Sequence, residues 1–197
     1  TKLGGGPSVL PGSYKMIVSF GSHRDSALIQ VKSDPRVPFD LQGKTAQIAF
    51  QREVMAEVDE IAESMAEIQR GLATIEVVRT ELKHLPDSLT EDVTQLSDSL
   101  KNAFLDAEAL YMEPKDFKGI ESVTERLNSV MWNAFSIDGG DAAPGGNAKF
   151  ALARLREKGN EFTSEVDGLM ESLWLTWLDS VDRVDRSPRR IFESTDQ

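Results

Sequence analysis

The segment Glu81-Leu82-Lys83-His84 sets a carboxylate and an imidazole three residues apart, the Glu-x-x-His spacing with which helices hold di-iron and di-manganese centres. Such a centre draws two of these motifs from different helices. The only other histidine is His23, so the sequence nominates no metal ligands, and His84 reads as a cation near a helix C-terminus, where the dipole favours it. Asp138 to Asn147 combines carboxylates with glycines but lacks the alternating oxygens and closing glutamate of an EF-hand. Its Gly-Gly pairs lack the Gly-Lys-Ser/Thr of a phosphate cradle. Glu57, Asp59, Glu60 and Glu63 offer paired carboxylates, yet they flank an apolar seam and read as solvated charge. No Gly-x-Ser-x-Gly is present, and two histidines leave little for a triad. The sequence therefore nominates no catalytic residue, no metal site and no cofactor.

Composition narrows the classes further. The 197 residues carry 33 acidic against 22 basic side chains, a net charge of −11, which opposes binding to nucleic acid or to anionic lipid. Cysteine is absent, which removes disulfides, thiolate nucleophiles and Cys-ligated metals. No apolar run approaches the ~20 residues that span a bilayer, so membrane insertion is not expected. The start, Thr1-Lys2-Leu3-Gly4-Gly5-Gly6, has neither a signal-type apolar region nor an initiator methionine and reads as cut or processed from something longer.

Two kinds of periodicity organise the chain. Tyr14, Met16, Val18 and Phe20 alternate, with Lys15 and Ser19 on the other face, and the run from Ala27 to Val31 alternates again until Asp34-Pro35 stops it. These predict a β-hairpin joined through Gly21 to Asp25, with an apolar face that must pack on something else. From about Leu41 to Leu85 the period becomes helical: Val54, Val58, Ile61, Met65, Ile68, Leu72 and Ile75 form a heptad seam, with Asp40 as N-cap, Pro86 as the stop and Gly71 as the weak point. Further helices are predicted from Thr90 to about Met112, from about Gly119 to Phe135, and from about Asn147 to Val184. Asp138 to Gly146 is the most breaker-rich stretch, and the loop from Asp138 to Asn147 is expected to be the most mobile internal segment.

The predicted fold is mainly α. A hairpin segment (1–38) precedes an up-down-up-down four-helix bundle (39–186) with long first and fourth helices, and a polar tail follows (187–197). That topology places the hairpin beside the end of the fourth helix, where Leu173-Trp174-Leu175-Thr176-Trp177-Leu178 is the most apolar stretch. Trp174 and Trp177 are thus expected either to pack under Tyr14, Met16, Val18 and Phe20 or to form an interface.

Pro11-Gly12-Ser13-Tyr14-Lys15-Met16-Ile17-Val18, followed by Ile29-Gln30-Val31-Lys32-Ser33-Asp34-Pro35-Arg36-Val37, resembles the C-terminal region of large bacterial proteins with BNR or sortilin-like (VPS10-type) β-propellers. Asp34, Pro35 and Arg36 are the more specific part of that likeness. The resemblance implies that the hairpin is the remnant of a β-sandwich, that a helical region follows it, and that the parent is secreted or in the cell envelope. It also implies that any glycoside-hydrolase chemistry belongs to the propeller and not to this segment. The expected function is a non-catalytic structural or protein-interaction module whose partner is protein, either the rest of the parent chain or another protomer. The alternatives are a free-standing helical adaptor and a carbohydrate-binding or hydrolase accessory module.

Overall fold

The computed structural model describes residues 9–36, 38–113, 125–137 and 140–184. The chain is mainly helical and opens with an antiparallel two-stranded hairpin, β1 (Gly12–Phe20) and β2 (His23–Val31). The helices are α1 (Leu41–Leu82), α2 (Asp87–Tyr111), α3 (Leu127–Phe135) and α4 (Gly146–Leu169), the last continued by a π-helical turn (Met170–Trp174) and α5 (Leu175–Asp182). Two compact units divide it: residues 1–56 with 133–153, and residues 57–132 with 154–197. The first part of the predicted third helix, residues 138 and 139 of the breaker-rich connection, and the polar tail lie outside the described residues.

Asp40 caps α1 as expected: Gly43 N–H donates to its Oδ1 at 2.9 Å, and Lys44 N–H to its carbonyl at 2.9 Å. Forty-two residues at 1.5 Å each make α1 about 63 Å long. Val54, Ile61, Ile68, Ile75 and Leu82 recur every seven residues along it and are all buried. The seam leans away from the expected flank, however. Val58, Met65 and Leu72 are half-buried, whereas Ser64 and Gly71 on the other side are buried. Small residues admit a partner there: the Phe104 ring of α2 lies so close to Gly71 that a Cβ would stand 2.6 Å from Cε2. Gly71 is thus a packing site and not a weak point. Pro86 does not terminate α1 directly; it is the residue before α2, which begins at Asp87, three residues ahead of the expected Thr90.

In the second unit the pairings set the helix directions. Along α1 and α2, Gln69 meets Glu108, Glu76 meets Lys101 and Arg79 meets Asp98, so α2 runs antiparallel to α1. Along α2 and the last helix, Tyr111 meets Phe162, Phe104 meets Trp174 and Ser97 meets Trp177, again antiparallel. The last helix therefore runs parallel to α1. Arg156 on Glu57 and Gly159 on Ile61 fit that direction. Up-down-up-down would require the opposite, so these pairings in the second unit do not confirm the expected topology. α3 spans nine residues; in the second unit Arg126, just ahead of it, donates to the Ala109 carbonyl, and in the first unit Gln47 donates to the Ile137 carbonyl.

The π turn has a phase-setting role. Leu155, Gly159, Phe162, Val166 and Leu169 form the buried stripe of α4, and a continuous α-helix would carry that stripe on to Thr176 and Ser180. Trp177 and Val181 are buried instead, one residue later. A π turn accommodates one extra residue, and that offset brings the aromatic side inward.

Candidate interaction surface

The hairpin is tighter than the expected five-residue connection. Only Gly21 and Ser22 separate the strands, and Gly21 adopts φ +57°, a conformation that glycine reaches without steric cost. The register pairs Tyr14 with Ile29, Met16 with Ala27, Val18 with Asp25 and Phe20 with His23. Side chains alternate between faces, so these pairs share one face, apolar except at its tip. The opposite face holds Lys15 with Leu28, Ile17 with Ser26 and Ser19 with Arg24, a mixed and basic surface.

That apolar face is open. Phe20 is 84% exposed, Val18 56% and Met16 47%, and Leu28 on the other face is 83% exposed. Tyr14 is half-buried and donates its hydroxyl to the Leu10 carbonyl at 2.7 Å. Trp177 is completely buried in the second unit and donates its indole N–H to Ser97 Oγ at 2.8 Å. Trp174, half-buried, stacks between Trp177 and Phe104 with ring centroids 5.0 and 6.3 Å away. Both tryptophans are thus committed to the helical core, and the wide apolar stretch from Leu173 to Leu178 reflects the phase change in the π turn.

Asp34, Pro35 and Arg36 close on themselves just beyond β2. The Arg36 backbone N–H donates to Asp34 Oδ1 at 3.0 Å, and its guanidinium takes both carboxylate oxygens. These bonds from Arg36 hold the Asp34 carboxyl below its ordinary pKa, and the carboxylate raises that of Arg36. The motif is an exposed, self-satisfied turn.

Of the acidic residues beside the seam, Glu57 is not purely solvated: its carboxylate accepts from Arg156 Nε at 2.8 Å. Glu81 and His84 do not share a helix, because α1 ends at Leu82. Among the described residues no three His, Cys, Asp or Glu side chains cluster as a metal site, and no helix is long and apolar enough to cross a membrane.

Sequence reasoning passed over Gly43, Lys44, Gln47 and Ser97, because small or polar residues on a helix give no hydrophobic signal. Compared with protein families, curated proteins and solved structures, the chain matches none.

Proposed function

We propose that this chain is a non-catalytic structural or protein-interaction module of a larger protein, and that the hairpin is the element that meets the rest of that protein. The exposure of the Tyr14, Met16, Val18 and Phe20 face carries the reading. A two-stranded hairpin is marginal in water by itself. Each large apolar side chain left outside forgoes roughly 1.5–3 kcal/mol of burial. A sheet in another domain would supply the missing cover, with the basic opposite face left to solvent.

The likeness of β1, β2 and the Asp34-Pro35-Arg36 turn to the end of a sandwich domain in BNR or sortilin-like proteins supports a propeller-containing parent. On that reading the helices are a scaffold and any hydrolytic chemistry lies elsewhere in the parent.

Hydroxyl-radical footprinting of this chain alone and of the polypeptide encoded by its full reading frame tests the proposal. Phe20 and Met16 should be labelled strongly in the chain alone and protected in the longer protein. Equal labelling in both would overturn it, as would an initiator codon close to Thr1 with no further domain.

A further inference from the structure

The connection between α3 and α4 meets the first turns of α1 through backbone and charge together. Lys44 Nζ donates to the Gly140 carbonyl at 3.0 Å and pairs with Asp141 Oδ1 at 3.4 Å. One residue earlier, a Cβ on Gly43 would stand 2.4 Å from the Asp141 carbonyl oxygen, so the connection lies on the helix backbone only because residue 43 has no side chain. One turn later, Gln47 Nε2 donates to the Ile137 carbonyl at 3.3 Å. Gln47 is 1% exposed, yet its Oε1 has no hydrogen-bond partner.

We propose that residues 140–145 are a strap latched onto α1 by Lys44, and that the latch opens independently of the second unit. Three observations set this balance. The strap is rich in glycine and proline-flanked small residues, which bury little and gain backbone freedom on release. Against this stand a half-buried lysine with two acceptors and the close fit at Gly43. Segments held by few contacts open locally, well below the free energy of global unfolding. This device is separate from the hairpin and does not depend on the module reading.

Proteinase K digestion of the full chain, with cleavage sites mapped by mass spectrometry, tests it. Lys44→Met should speed cleavage within 140–145 about tenfold, the worth of a charged hydrogen bond, while cleavage within 57–82 keeps its wild-type rate. Gly43→Ala should also speed cleavage of the strap; its Cβ would stand 2.5 Å from the capping Asp40 Oδ2 as well, so Asp40→Ala is the control for a weakened start of α1 and should leave strap cleavage at the wild-type rate. If Lys44→Met unfolds the chain, Gly43→Ala decides alone. Wild-type strap cleavage in Gly43→Ala, or equal acceleration within 57–82, would overturn the proposal.

Discussion

Trp177 and Ser97 meet across 80 residues of chain: the buried indole N–H donates to Ser97 Oγ at 2.8 Å, and the same hydroxyl donates to the Val93 carbonyl at 2.6 Å. Both residues are 0% exposed. The pair therefore fixes the last helix against α2 in a dry setting, where an unpaired indole would be costly. Ser97→Ala should destabilise the protein by about 1–3 kcal/mol through the orphaned donor. Trp177→Ala should cost about 3–5 kcal/mol through the lost core volume. Denaturant unfolding followed by circular dichroism checks both, and equal midpoints for Ser97→Ala and wild type would contradict the packing.

At Gly71 two effects oppose one another. Alanine in place of glycine gains about 1 kcal/mol of helix propensity. Its Cβ would press on the fully buried Phe104 ring, 2.6 Å from Cε2. Overpacking costs about 1–3 kcal/mol, so the net change should be destabilising. Phe104→Leu in the same chain should recover part of the loss, giving a double-mutant cycle with non-zero coupling.

The π turn leads to an unusual expectation about deletions. Removing exposed Glu171 should anneal Met170–Trp174 into a regular α-helix while keeping Trp177 and Val181 inward, because the extra residue is what the turn absorbs. Removing exposed Glu157 from α4 should instead turn the following stripe by about 100° and expose Phe162 and Val166. Tryptophan emission maxima and melting temperatures distinguish the two. A Glu171 deletion that melts as low as the Glu157 deletion would refute the phase argument.

On the hairpin, Phe20→Ala should change the stability of the isolated chain by no more than about 0.5 kcal/mol, as exposed substitutions do. A loss of several kcal/mol, measured by urea unfolding, would mean that the ring is buried in solution.

Glu76 supplies a pH test. The hydrogen bond from Lys101 holds its carboxyl below the ordinary glutamate value, and the charge of Lys101 adds to the effect. A depressed pKa means that the folded state favours the carboxylate. Its contribution is complete above the unfolded pKa and fades as pH falls through the lower folded value. The site is exposed, so the contribution is small and sensitive to salt. Carboxyl NMR titration should place the Glu76 midpoint below the reference, and Lys101→Met should return it there.

The sequence by itself determined where the hairpin and the long helices lie, to within a few residues at their ends, and which faces most of them bury. Alternation from Tyr14 to Phe20 and the seven-residue recurrence of Val54, Ile61, Ile68 and Ile75 are legible because side-chain periodicity follows backbone geometry. Asp40 was legible as a cap because a short acceptor ahead of a helix satisfies a free N–H. Only the tertiary structure decided what lies across from each face. Gly71 and Ser97 are buried because another helix brings Phe104 or Trp177 to them, and smallness carries no hydrophobic signal. Helix direction was equally hidden. Short connections predict antiparallel neighbours, but α3 extends over only nine residues and the last helix follows α1 in parallel. The hairpin's apolar face was visible in the sequence as a surface in need of cover. Its exposure could be read only from the folded chain, because alternation reports that a face is apolar, whereas burial depends on what the other elements bring to it.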